Sequence, residues 1–275
     1  MYCEFFGFQE KPFHVTPDTR YLYLSPVHEA VLHTLKYGIQ ERKGFMLCTG
    51  EVGTGKTISL RALLNGLDDT TETSLILNPQ LSCLELLETI NRDFRRKQSR
   101  GSIKDQIDHL NTFVLECAKK GRNAVVIIDE AQNLSYEALE MTRLLSNLET
   151  ETDKLLQIVL VGQPELEEKL AQPELRQLRQ RIQIYCRLTP LNRDQTERYI
   201  IFRIQKAGPQ AMVAFEKSAV TQIHKYSKGI PRLINVLSDF CLLSAYLNNA
   251  RVITKQMVRQ AFSETKGEIP YVTHL

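Results

Sequence analysis

Two short stretches hold the residues whose types and spacing can do chemistry. In the first, Gly50-Glu51-Val52-Gly53-Thr54-Gly55-Lys56-Thr57-Ile58, two glycines bracket four residues and are followed by a cation and a hydroxyl. That spacing suits a phosphate chain. Glycines let the backbone take positive φ and approach an anion with no Cβ between, and the loop N–H groups converge on it. Lys56 puts a point charge near the β- and γ-phosphates, and the Thr57 hydroxyl can ligate Mg²⁺. The second stretch is Asp129-Glu130, which closes the apolar run Ala124-Val-Val-Ile-Ile. Asp129 is placed to hold Mg²⁺ through its water shell, and Glu130 to orient or deprotonate an attacking water. A glycine-rich turn can arise by chance, and an Asp-Glu pair can simply cap a helix. Together in one chain, with room between them for a crossover and another strand, they favour the catalytic reading.

The elements that must position these residues are legible around them. Phe45 to Cys48 is a short apolar strand entering the glycine-rich loop, and Ile58 to Leu64 has the apolar spacing of a helix leaving it. The new helix adds its unpaired N–H groups and positive dipole end to the anion site. Ser25-Pro26 reads as an N-cap and a first helical proline, with Val27, Ala30, Val31, Leu35 and Ile39 continuing at helical spacing as far as Glu41 to Gly44. Ser74 to Asn78 predicts a second strand, and Leu81 to Phe94 and Ile103 to Lys120 predict helices. Ala124 to Ile128 reads as a strand buried on both faces of a parallel sheet, and ligands in such sheets bind where the strands end. Leu134 to Leu148 is an amphipathic helix. Leu155 to Val161 and Ile182 to Leu188 are further strands. From Thr189-Pro190 only helices are expected, over Asp194 to Lys206, Glu216 to Ser227, Pro231 to Leu247 and Thr254 to Glu264.

Other residues reach the same sheet edge or flank it. Gln163, after the strand ending at Val161, can bond a γ-phosphate or its water, or can serve as turn chemistry before Pro164. Arg176, Arg179 and Arg181 precede the last strand. Arg232 sits in the first turn of a helix begun by Gly229-Ile-Pro231, where the dipole disfavours a cation; it either faces an anion or is a surface arginine. Residues 1 to 24 are rich in aromatics, and Pro12 and Pro17 make the stretch extended rather than helical. Its rings either pack across the edge of the core or lie beside the nucleotide and enclose the adenine. The stretch from Arg92 to Gly101 is the most basic in the chain. It is either a solvated helix end or a patch for nucleic acid or an acidic partner.

Composition narrows the classes. With 275 residues, 43% hydrophobic and 24% charged, the chain has the make-up of an ordinary soluble globular protein. Its net charge of +3 does not by itself imply a nucleic-acid partner. No apolar run reaches the roughly 18–20 residues that cross a bilayer, and the N-terminus lacks the pattern of a signal peptide. A cytoplasmic location is expected. Six scattered cysteines with no Cys-x-x-Cys pair read as reduced thiols, not as metal ligands or disulfides.

Taken together, these residues resemble an AAA+ ATPase with its helical lid. The expected fold is α/β, a P-loop NTPase core over 25–189 with a parallel sheet and helices on both faces. It is preceded by the aromatic segment 1–24 near the nucleotide and followed by a small all-α lid over 190–275. More narrowly, Phe5-Phe-Gly-Phe-x-x-Lys11-Pro12-Phe13, Thr16-Pro17-Asp18, Tyr23-Leu-Ser-Pro26, Asp129-Glu-Ala-Gln132-Asn-Leu134 and Gly162-Gln-Pro-Glu-Leu166 resemble the ExeA/GspA family of secretion ATPases.

The resemblance implies an oligomer-forming ATPase that takes ATP and Mg²⁺. In that family Gly50 to Ile58 bind nucleotide, Thr57 and Asp129 serve the metal, and Asp129 and Glu130 are the Walker B pair. Gln163 takes the sensor position and Arg232 the second sensor. One of Arg176, Arg179 and Arg181 would reach the neighbouring subunit's γ-phosphate, with Arg179 or Arg181 preferred.

ExeA-like proteins continue into a membrane span and a peptidoglycan-binding part, whereas this chain stops at Leu275. It is expected to be a shorter, MshM-like member or the cytoplasmic portion of a longer protein. Any attachment to the inner membrane would come through a partner or a missing C-terminal part. The expected partners are copies of itself and components of a secretion or pilus system. The alternative is a DNA-associated regulator of the TniB/TnsC transposition type.

Overall fold

The computed structural model describes residues 2–16, 18–94, 101–151 and 153–265. Most of the basic stretch noted above, residues 95–100, lies outside them. In chain order the elements are α1 (Tyr2–Phe6), α2 (Pro26–Gln40), β1 (Phe45–Gly50), α3 (Lys56–Asn65), β2 (Thr71–Ile76), α4 (Cys83–Asp93), α5 (Ile103–Lys119), β3 (Asn123–Ile128), α6 (Tyr136–Leu145), β4 (Gln157–Gly162), α7 (Pro164–Leu170), α8 (Arg176–Arg181) and β5 (Ile182–Leu188). They continue with α9 (Arg193–Ala207), β6 (Ala214–Phe215), α10 (Lys217–Ser227), α11 (Pro231–Leu247), β7 (Val252–Ile253) and α12 (Lys255–Glu264).

The chain divides into two compact units, one of Pro26–Gly50 with Ser59–Leu188, the other of Met1–Ser25, Glu51–Ile58 and Thr189–Leu275. The first holds a five-stranded sheet in the order β2-β3-β4-β1-β5, with every neighbouring pair parallel. All its strands therefore end on one edge. β1, β3 and β4 are buried along their whole length, which is why they read as continuous apolar runs.

Their side chains alternate between two cores, as the two-residue period of a strand requires. Phe45, Leu47, Val126, Ile128, Ile158 and Leu160 face the core that contains α4, α5 and α6 residues. Met46, Cys48, Val125, Ile127, Val159 and Val161 face the core formed with Leu35 and Ile39 of α2 and Leu60 and Leu63 of α3. The helices start where the sequence offers caps. Ser82 with Glu85, and Ser102 with Asp105, form reciprocal capping boxes at α4 and α5. Each cap contributes about 1 kcal/mol.

The second unit packs α9, α10, α11 and α12 around a core that also holds Tyr2, Phe6, Phe8, Phe13 and Tyr21. Two expectations are corrected here. The N-terminal stretch is not extended throughout: α1 is helical, because the prolines restrict only their own predecessors and residues 2–6 lie upstream of both. Tyr2 and Phe6, one helical turn apart, bury their rings together, and the Tyr2 hydroxyl donates to Asp239 on α11 at 2.5 Å. Nor is the C-terminal region helical only, since β6 and β7 pair in parallel. Two-residue strands carry no periodicity for a sequence reading to detect.

Arg203 of α9 anchors the N-terminal segment. It is 5% exposed, its Nε donates to the Pro12 carbonyl at 2.6 Å and its Nη2 to the His14 carbonyl at 2.9 Å. Its guanidinium lies 4.5 Å from the centre of the Tyr21 ring. Among the described residues no helix is long and apolar enough to cross a membrane.

Candidate functional site

The loop from Glu51 to Thr57 leaves the end of β1 and runs into α3. Gly53 and Gly55 take φ of +81° and +100°, conformations that a side chain would resist. Lys56 is 6% exposed, and its Nζ donates to the Glu51 carbonyl at 3.1 Å, so the ammonium folds back over the loop. The Thr54 hydroxyl bonds the same carbonyl at 2.8 Å. A Cβ on Gly53 would come within 2.7 Å of Arg232 Cβ, and the Arg232 N–H donates to the Gly53 carbonyl at 3.3 Å. The start of α11 therefore braces the loop through its backbone, while the Arg232 side chain is exposed. A loop with left-handed glycines, an inward-folded lysine and a hydroxyl on the first helical turn fits a polyphosphate with a divalent cation.

At the end of β3 lies a second group. Asp129 is 2% exposed, and its N–H continues the ladder by donating to the Ile76 carbonyl at 2.8 Å. Its Oδ1 accepts the Glu130 N–H at 2.9 Å. Glu130 is left-handed, with φ +51° and ψ +38°, a conformation costing a non-glycine residue about 1–3 kcal/mol. Its side chain does not cap the single turn that follows, Ala131–Asn133. Instead Glu130 Oε2 accepts two amide hydrogen bonds, from Gln163 Nε2 at 3.1 Å and from Gln132 Nε2 at 2.6 Å. Gln163 stands where β4 passes into α7, so neighbouring strand ends bring the two together.

Gln132 has no counterpart among the site residues expected from the sequence. It stands within a quoted motif, but only the left-handed turn at Glu130 carries it back to the strand end. Lys169 of α7 donates to the carbonyls of Gln132, at 3.3 Å, and of Leu134. Burial lowers the pKa of this lysine. Glu167, also on α7, accepts the Thr49 hydroxyl at the end of β1.

The three arginines share one short helix, α8, whose Leu178 is buried. Arg176 and Arg179 are exposed and have no hydrogen bond or ion pair from their side chains among the described residues. Arg181 is partly buried and lies 3.5 Å from the Ser146 hydroxyl.

Residues 39–170, from the end of α2 through α7, match the AAA domain family. The chain is 42% identical over 268 residues to general secretion pathway protein A of Aeromonas hydrophila, covering 97% of this chain and 49% of that protein. It thus spans about half the length of this relative. Cdc6p from Pyrobaculum aerophilum superposes with a TM-score of 0.68 at 19% identity, over 90% of this chain and 71% of that one. A Walker-type ATPase of Pyrococcus abyssi does so with a TM-score of 0.63 at 19% identity, over 94% and 77%. At such identities these two establish the fold alone. The chain thus has the α/β fold of AAA-type P-loop proteins, carries a match to the AAA domain over residues 39–170, and is similar over nearly its whole length to general secretion pathway protein A.

Proposed function

We propose that this protein is a Mg-dependent ATPase that couples ATP binding and hydrolysis to the assembly of a bacterial envelope secretion or pilus system. The observation that carries the hydrolytic part is Glu130, a carboxylate at the end of a buried strand, set in a left-handed turn and held by two amides. The match of residues 39–170 to the AAA domain supports nucleotide hydrolysis in general, and the name of the Aeromonas relative supports a link to secretion.

In this reading the N–H groups of Gly53 to Thr57 and the Lys56 ammonium hold the β- and γ-phosphates. The Thr57 hydroxyl and Asp129 would hold Mg²⁺, which would supply charge to offset that developing on the phosphate oxygens. Glu130 accepts a proton from the attacking water and orients it in line with the γ-phosphate. Gln163 can exchange Glu130 for a phosphate oxygen, and Arg232 adds a second cation. The exposure of Arg176 and Arg179 favours these two over Arg181 as the group supplied to a second copy.

The test is light scattering of the Glu130→Gln protein across concentration, with and without Mg-ATP. A defined larger assembly with Mg-ATP supports nucleotide-driven association. A constant monomer mass at every concentration removes it.

A further inference from the structure

Two amide side chains meet one oxygen of Glu130, and they are held in different ways. Gln163 stands on the strand edge that the phosphates are proposed to occupy, so its side chain has a second acceptor to move to when nucleotide binds. Gln132 is tied at both ends. Its Nε2 donates to Glu130 Oε2 at 2.6 Å, while its Oε1 accepts the backbone N–H of Gln163 at 3.1 Å. That second bond fixes which way round the amide lies, because a backbone N–H can only donate. The amide is thereby forced to present its NH₂ to the carboxylate.

Two further observations show that the structure is built to hold this side chain. A Cβ on Gly162 would stand 2.8 Å from Gln132 Oε1, so the absence of a side chain there leaves room for the amide. Lys169 holds the carbonyls of Gln132 and Leu134, which fixes the backbone of the turn. The Gln163 side chain can therefore leave Glu130 without releasing the carboxylate, because Gln132 depends only on the backbone at position 163.

We infer that Gln132 is a positioning residue for hydrolysis, one that keeps the Glu130 carboxylate aimed while the Gln163 side chain moves to the nucleotide. The inference rests on the proposed role of Glu130. Gln132 touches neither phosphate nor water in this account and acts through Glu130 alone.

The experiment is a double-substitution cycle on ATP hydrolysis, measured in single turnover and at steady state. Gln132→Met removes both hydrogen bonds at similar length. Gln132→Glu retains an acceptor for the Gln163 N–H and replaces the donor to Glu130 by a second carboxylate that repels it, so it covers the case in which the methionine variant misfolds.

Each single substitution is expected to lower kcat by about 10–100-fold, a part of the roughly 10²–10⁴-fold that a positioned base supplies in full, with KM for ATP within about twofold. In the Glu130→Gln background the same substitutions should cost nothing further, since the group they aim is already gone. A structural role would instead lower the residual rate again, and additive losses overturn the proposal. If Glu130→Gln hydrolyses ATP at the wild-type rate, the role of Glu130 fails and this inference with it. If Glu130→Gln is slow while both Gln132 variants keep wild-type kcat, only the role of Gln132 falls.

Discussion

The carboxylate group at the end of β3 and the arginine helix α8 are opposite kinds of site. Around Glu130 the partners are already in place within the chain: Asp129, Gln132 and Gln163 make hydrogen bonds of 2.6 to 3.1 Å. On α8, Arg176 and Arg179 extend into solvent with no such partner among the described residues. Preorganised donors cost no reorganisation at the moment of reaction. An exposed guanidinium can contribute only after something else excludes water around it. Under the proposed function, the contrast means that the first group can be completed by one chain and a nucleotide, whereas the second needs another surface.

Mixing two inactive proteins tests that contrast most severely. Arg179→Ala, or Arg176→Ala if that is the residue used, should lower hydrolysis by about 10³-fold or more, as expected of an arginine supplied across an interface. Added to Glu130→Gln, it should recover activity, because each Glu130→Gln chain can lend its arginine to a neighbour with an intact carboxylate. About a quarter of the interfaces would be competent in an equal random mixture. Titrating one variant into the other and finding no recovery would mean that the two groups never meet across copies.

A third arginine sharpens the comparison from the other side. Arg203 is buried and spends its guanidinium on two carbonyls, the Tyr199 hydroxyl and the Tyr21 ring. Arg203→Ala leaves the Pro12 and His14 carbonyls without this donor and should destabilise the protein by about 2–4 kcal/mol, measured by chemical denaturation. Arg179→Ala should change stability by no more than about 0.5 kcal/mol in the same assay. Comparable losses would mean that Arg179 is held by contacts within its own chain.

Sequence made the sheet legible because its strands are continuous apolar runs: Phe45 to Cys48, Ala124 to Ile128 and Leu155 to Val161 all fall within a few residues of β1, β3 and β4. The phosphate loop was legible for a different reason, since its chemistry depends on residues adjacent in the chain. Gln132 was not singled out because its role depends on a backbone turn two residues earlier and on an N–H from another strand. Helix α1 is too short to carry a pattern of its own, and Pro12 and Pro17, which constrain only their own predecessors, give the surrounding segment an extended reading. The anchoring by Arg203 joins residues nearly 200 positions apart, and no local pattern signals it.

The left-handed turn at Glu130 separates what position 130 requires for folding from what it requires for chemistry. A backbone with φ of +51° suits glycine or asparagine at least as well as glutamate. In a library of all substitutions at this position, ranking by yield of folded protein should place Gly and Asn level with Glu or above it, whereas ranking by ATP turnover should leave Glu alone at the top. The residue that makes the protein an enzyme would then be one that its own fold does not ask for, and a selection for solubility alone would erase it.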